Sequence, residues 1–166
     1  MSALEFLSPR PADTAVTPRL RSPLERALRG APAWIEDVSL ALAKFEVRGD
    51  LGHVTHDLVP ITPRRALVLA PMSEAAAVEA RLRAAGASVV DMTGALAALR
   101  ISGSRAVTLL RRLTDLDLDR LPAAGAIAHV AAVIRESSAE TYELFWPQEY
   151  GDYLAHVVVD TAEGLE

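Results

Sequence analysis

With no cysteine in the chain, any metal site has to be assembled from histidines and carboxylates. His53 and His56 stand three residues apart, a spacing that zinc sites use, but no third or fourth ligand accompanies them. They read as histidines of a surface loop. Asp115, Asp117 and Asp119 alternate with Leu116 and Leu118, without the glycine and terminal glutamate of a calcium loop, and read as the solvated edge of a short extended piece. His129 falls in a β-rich run and His156 in a helical one. Neither has a serine on an exposed elbow nearby, so a hydrolase triad has no support. No glycine-rich loop leads from a strand into a helix in dinucleotide or P-loop form, which argues against flavin or nicotinamide binding by this chain. Asp91 has a structural task in view, accepting backbone N–H groups at the Thr93-Gly94 turn. No catalytic, cofactor-binding or metal-ligating residue is assigned.

The elements around these residues centre on residues 89–119. Val89, Val90 and Met92 form a strand ending at Thr93-Gly94, and residues 95–101 form a second, with Leu99 and Ile101 on one face. Ser104 is placed to cap a helix whose apolar positions are Ala106, Val107, Leu110 and Leu113, leaving Arg105, Thr108, Arg111 and Arg112 to water. Upstream, Ser22-Pro23-Leu24-Glu25 has the form of a capping box opening a short helix that Gly30 stops. A strand-like run from Trp34 places Val38, Leu40 and Leu42 on one face and Phe45 and Val47 on the other, so its phase slips near Ala43-Lys44, as at a bulge. Residues 49–63 read as a loop or a short strand between loops. Residues 66–69 form a buried strand ended by Pro71, and Ser73-Glu74 opens a helix with Ala75, Val78, Leu82 and Ala85 inward and Gly86 at its end.

Downstream, residues 122–125 read as a turn, residues 127–135 as a strand, and Ser137-Ser138 as the start of a hairpin into residues 141–146, where Tyr142, Leu144 and Trp146 share a face. Pro147 opens a last helix with Tyr150, Leu154, Val157 and Val158 inward. The domain limits are an extended arm over residues 1–21, one α+β domain over 22–160 with a mixed or antiparallel sheet and helices packed on it, and a polar tail over 161–166. Trp34, Phe45, Trp146 and Tyr150 are the large anchors, expected to be mostly core.

The series in residues 89–119 resembles the amino-terminal part of the folate-binding aminomethyltransferase superfamily: a D-x-T turn, a strand, S-G-x-x-A-x-x-L-L-x-x-L and L-x-L-D. Three further stretches are similar to the sarcosine oxidase gamma subunit family within it: LTDLDLDRLPAAGAIAH, TYELFWPQEYGDYLAHVV and LALAKFEVRGD. The resemblance implies a fold like that amino-terminal part. It also implies a non-catalytic role in a heterotetramer that demethylates sarcosine oxidatively to glycine. The alpha, beta and delta subunits would be the partners and would carry FAD, FMN, NAD, tetrahydrofolate and zinc. Folate-using relatives carry a glycine-rich turn and a buried aspartate where this chain reads AIAHVAAVIRESSAETYELF. Its only acids are Glu136, Glu140 and Glu143, the first two in the turn, so the folate site looks lost. Two alternatives stand beside this one: a stand-alone folate-binding aminomethyltransferase-like protein, and an orphan adaptor of another amine-oxidising complex.

The bulk properties bound the partners. The 166 residues suffice for one self-standing core, and 51% hydrophobic with 23% charged residues is a globular composition. A net charge of −5 offers no basic footprint for nucleic acid. Apolar runs fall far short of the ~20 residues that span a bilayer, and no signal-peptide pattern opens the chain, so a cytoplasmic protein away from membranes is expected.

Overall fold

The computed structural model describes residues 21–52, 54 and 58–165. His53, His56 and, apart from Arg21, the expected arm lie outside the described residues. In chain order the elements are β1 (Ile35–Asp37), β2 (Leu42–Arg48), β3 (Leu58–Thr62), β4 (Arg65–Pro71), α1 (Ala75–Ala84), β5 (Ser88–Asp91), β6 (Leu96–Ser102), α2 (Ala106–Leu113), β7 (Ala123–Ile127), β8 (Val130–Ser138), β9 (Thr141–Pro147) and α3 (Gly151–Glu163). The expected α+β class and antiparallel pairing hold, but the sheet is two sheets. One has the order β1-β6-β9-β8-β7 and the other β3-β4-β2-β5.

Strand alternation explains how these sheets stack. On the first sheet Ala97, Leu99, Ile101, Ile134, Tyr142, Leu144 and Trp146 share a core with Leu109 and Leu110 of α2 and Leu154 and Val158 of α3. On the second, Ala43, Phe45, Val47, Ala66 and Val68 pack with Val78 and Leu82 of α1. The opposite faces meet: Leu42, Val59 and Leu67 of one sheet bury Ala98 and Phe145 of the other. The order of layers is therefore helices, sheet, sheet, helix, with an apolar core in each of the three gaps.

Two local expectations change because the chain passes from one sheet to the other, and a third changes within the first sheet. The phase slip near Ala43-Lys44 is not a bulge; β1 belongs to the first sheet and β2 to the second, and residues 38–41 turn between them. The Thr93-Gly94 turn joins two strands as expected, yet these strands lie in different sheets. Residues 122–125 belong largely to β7 rather than to a turn, and the reversal comes at Ala128 and His129, both with positive φ (44° and 69°). His129 thus sits on a hairpin corner, not in a strand. Two residues of positive φ match the twist of the flanking strands, but alanine and histidine gave no turn signal.

The helix ends differ as well. Helix α2 starts at Ala106 with no side-chain cap, so Ser104 does not perform the capping expected of it, and Leu109 joins the buried set while Val107 is half-buried. Residues 115–119 are not extended: Leu118–Arg120 is a single 3-10 turn, although Asp115, Asp117 and Asp119 do face water. In α1, Val78 and Leu82 are buried, but Ala85 is exposed and Ala75 only partly covered. Helix α3 runs through Glu163 with Ala162 buried, past the start of the expected tail, and Tyr150 is 48% exposed.

Residues 23–30 form turns rather than a regular helix. Ser22 Oγ accepts from Leu24 N at 3.1 Å, and Gly30 takes the expected left-handed conformation (φ 82°). This segment lies hard against the start of α3. A Cβ on Gly151 would stand 3.1 Å from Pro23 Cβ and 3.3 Å from its carbonyl oxygen, so glycine is what allows the approach that buries Leu24. Gly151→Val should therefore cost about 1–3 kcal/mol by overpacking, with Gly151→Ala costing less. Urea denaturation monitored by tryptophan fluorescence measures both, and an unchanged midpoint for the valine variant would contradict this packing.

Candidate functional site

The gap between the sheets is where the chain places its buried polar groups. Among the described residues, Ser39, Lys44, Glu46 and Glu143 are buried polar or charged side chains. Lys44 and Glu46 follow Leu42 on the face of β2 that meets the first sheet, and Glu143 precedes Phe145 on the facing side of β9. The apolar centre of the layer thus has an ionic cluster toward each end.

At one end, Glu143 is 1% exposed and bound by two guanidinium groups. Arg100 of β6 donates Nε (3.1 Å) and Nη2 (2.7 Å) to Oε1, and Arg135 of β8 donates Nε to Oε2 at 2.8 Å. The register makes this convergence inevitable, because Glu143 pairs with Arg100 on one side and Arg135 on the other. Arg100 also reaches Glu36 on β1 at 3.4 Å. These groups line a cleft of about 420 Å³ with Ser137, Ser138 and Thr141.

At the other end, Glu46 accepts from Arg65 Nη2 (2.5 Å) and Nε (3.2 Å), and from Arg48. Hydrogen bonding to Arg65 holds its carboxyl below the usual range, against the opposing effect of burial. Glu46 and Arg65 border an apolar cleft of about 290 Å³ that Ile61, Leu67, Met92, Leu96, Val133 and Phe145 also line. Both buried carboxylates are committed to paired guanidinium groups, so neither is placed as a free general base.

Lys44 lies between these clusters with no exposed surface. Its Nζ donates to the carbonyls of Ser39 (2.7 Å) and Leu42 (2.9 Å), closing the turn by which the chain leaves the first sheet. Burial lowers its pKa to about 8, with the charges of Asp91 and Asp37 acting in the opposite sense. The backbone of Lys44 joins the return crossing: its N–H donates to Thr93 Oγ1 (3.0 Å) and its carbonyl accepts from Met92 N (2.8 Å). Ser39 Oγ completes the junction, accepting from Ala98 N at 2.9 Å and donating to Ala98 O at 3.2 Å.

The residues weighed from sequence are scattered over other places. Asp91 Oδ1 accepts from Thr93 N at 2.8 Å, the turn-stabilising role expected of it. Asp117 accepts from Asp119 N, and His156 Nδ1 lies 2.7 Å from Asp152 O on an exposed helix face. Glu136 and Glu140 flank the β8–β9 hairpin, exposed, while Glu143 is in the layer. Among the described residues no group of three or more histidines and carboxylates is placed to hold a metal ion. Sequence reading did not single out Lys44, Glu46, Arg65, Arg100 or Arg135. The available signal was that each is a charge inside an otherwise apolar strand.

Residues 32–163 match the model of the sarcosine oxidase gamma subunit family. The chain belongs to that family. Among solved structures it is similar to heterotetrameric sarcosine oxidase from Corynebacterium sp. U-96 in complex with pyrrole 2-carboxylate. That match has a TM-score of 0.72 and 14% identity, covering 87% of this chain and 95% of the other, and it bears on fold. Weaker likenesses are to aspartokinase alpha and beta subunits (TM-score 0.43, 13% identity, 80% and 99% coverage). Another is to the regulatory subunit of aspartate kinase from Thermus thermophilus (0.45, 12%, 76% and 96%); neither carries an argument. No curated protein sequence matches.

Lys44 is the single lysine of the sequence, which makes its titration separable. Below pH 8 the amine is charged in both folded and unfolded states and the fold carries the cost of burying it. Between about 8 and 10.5 the unfolded chain binds more protons, so stability rises with pH. A fall from 10.5 to about 8 corresponds to about 3 kcal/mol. Unfolding free energies of wild type and Lys44→Met should therefore diverge by up to about 3 kcal/mol between pH 8 and 10.5, the wild type gaining; parallel curves would exclude a buried, depressed lysine. Glu143→Gln should cost about 3–5 kcal/mol at pH 7, since it leaves two guanidinium groups without their carboxylate. Glu46→Gln, whose arginines are more exposed, should cost less in the same denaturation assay.

Proposed function

We propose that this chain is the non-catalytic gamma-type subunit of a heterotetrameric sarcosine-oxidase-like complex. In this reading it braces alpha, beta and delta partners, which carry the chemistry of converting sarcosine to glycine. FAD, FMN, NAD, tetrahydrofolate and zinc are then held by those partners, in the cytoplasm. Family membership and the likeness in fold to a heterotetrameric sarcosine oxidase support the assembly. The observation that carries the non-catalytic part is the state of Glu143: the one buried acid of the stretch that resembles the folate-site region is held by Arg100 and Arg135. A pterin amide edge needs a carboxylate with open lone pairs, and this one has spent them on guanidinium groups. Nor is any helix of the described residues long and apolar enough to cross a membrane.

The test is co-expression of a tagged chain with the genes for the other subunits. Stoichiometric recovery of flavoprotein subunits with the tag is expected, and sarcosine-dependent peroxide formation should be undiminished by Glu143→Asp in assembled complex. Elution as a lone monomer with no flavoprotein retained would defeat the proposal. A saturable heat of tetrahydrofolate binding to the isolated chain would overturn its non-catalytic part.

A further inference from the structure

The end of α2, the β7–β8 hairpin corner and one stripe of α3 line an open cleft of about 460 Å³ on the helical side of the molecule. Hydrogen bonds fix its frame: Ala128 N donates to Leu113 O at 2.8 Å, and Tyr153 Oη donates to Ala128 O at 3.3 Å. The corner is thus held by both helices, with Ala128 and His129 at φ 44° and 69°. That conformation is costly for an alanine or a histidine, and here it leaves an exposed His129 in the cleft lining. Arg111 and Arg112, in the last turn of α2, line the same cleft. Arg112 Nη1 donates to Gly164 O at 3.1 Å, and neither guanidinium makes an ion pair among the described residues. Asp115 is the one acid of the lining, and the hydroxyls of Thr114 and Thr161 already donate to backbone carbonyls.

A chain of net charge −5 therefore carries a local excess of positive charge. The dipole of α2 favours basic residues at its end, which accounts for each arginine singly but not for the aromatic surface that joins them. Tyr153 and Val157, four residues apart on α3, line the cleft, and Tyr150 precedes Tyr153 by about one helical turn. Tyr150 and Tyr153 remain 48% and 51% exposed. Tyrosine and arginine together on an open surface are the composition of a protein interface. A small free anion is a poor occupant, because water weakens its attraction to exposed guanidinium groups. A polypeptide that covers the tyrosine excludes that water and strengthens the same charges. From the uncompensated charge, the held corner and the exposed aromatic surface, we infer that this cleft receives an acidic segment of a partner subunit. Its carboxylates lie on Arg111, Arg112 and His129, and its apolar groups on Tyr153 and Val157. Resting on the proposed assembly, this docking adds to it the face by which the chain is held.

The test uses the co-expressed complex and follows the flavoprotein retained by the tagged chain as sodium chloride is raised. Arg111→Glu/Arg112→Glu should weaken the apparent affinity about tenfold or more, releasing flavoprotein at lower salt. Arg29→Glu/Arg64→Glu changes the net charge equally, on exposed arginines that also make no ion pair among the described residues, and should behave as wild type. Equal losses in the two variants would overturn the docking in favour of a bulk charge effect. Arg111→Lys/Arg112→Lys should keep most of the affinity, and a loss as severe as that of the glutamate variant would assign the effect to the helix end and overturn it too. Ala128→Asn/His129→Gly supplies a readout that a merely structural corner would not move. Asparagine and glycine suit two positive φ angles, so the unfolding midpoint should rise while retention falls several-fold; a rise in both counts against the site. Wild type that retains no flavoprotein defeats the proposed assembly and this docking with it, whereas a glutamate variant that matches a retaining wild type defeats the docking alone. Self-association of the isolated chain that the glutamate variant abolishes would overturn it in favour of a second copy.

Discussion

The whole arrangement depends on one junction, where the chain leaves the first sheet and where it returns. Ser39 and Lys44 lie on the outgoing side, Thr93 and Ala98 on the returning side, and hydrogen bonds join them directly. If this junction is undone, β1 can no longer pair with β6 while β2 pairs with β5, because the same short segments set both distances. A turn between stacked sheets leaves backbone carbonyls without strand partners, and in a buried place each of them needs a donor. An ammonium group on a long stem serves two at once. The cost is a charged group in an apolar layer, and the depressed pKa of Lys44 is the signature of that cost.

The two ionic clusters follow from the same stacking. A sheet facing another sheet has no solvated side on which to place its polar residues, so any charge on the inner faces must find its counter-charge within the layer. Glu143 does so through strand register alone, flanked by arginines on both neighbouring strands. Such clusters contribute little net stability compared with apolar residues of the same volume. What they contribute is discrimination. A slip of β9 by one residue would turn Glu143 toward the helices and strand both guanidinium groups, whereas a purely apolar face of alanine, valine and leucine would penalise that slip much less.

The sequence made the element types legible more readily than their allegiance to sheets. Strand and helix followed from apolar spacing at Tyr142, Leu144 and Trp146 and at Val78 and Leu82. What alternation cannot reveal is that a strand is buried on both sides by different partners, which is why the shift between Val38 and Phe45 resembled a bulge and Lys44 was not singled out. The hairpin at Ala128-His129 was equally hidden, since neither residue type announces positive φ. Glu143 was found as an available acid, but its partners could not be named, for Arg100 lies 43 residues away in sequence. Long-range register, not local composition, brings them together.

That distinction between a charge that is buried and a charge that is available decides how this scaffold is to be read. Catalytic carboxylates work because some part of their hydrogen-bonding capacity, or their protonation state, is left open to the substrate. Here Glu46 and Glu143 lie in clefts of substrate-like size, yet their oxygens are already satisfied from within the strands. A site closed in this way has its geometry set by the strands themselves and not by a ligand. It also sets a condition on freeing either carboxylate oxygen: removing Arg100 or Arg135 would do so only by weakening the register that positions Glu143. Rigidity and reactivity compete for the same side chain in this layer, and every hydrogen bond to Glu143 is on the side of rigidity.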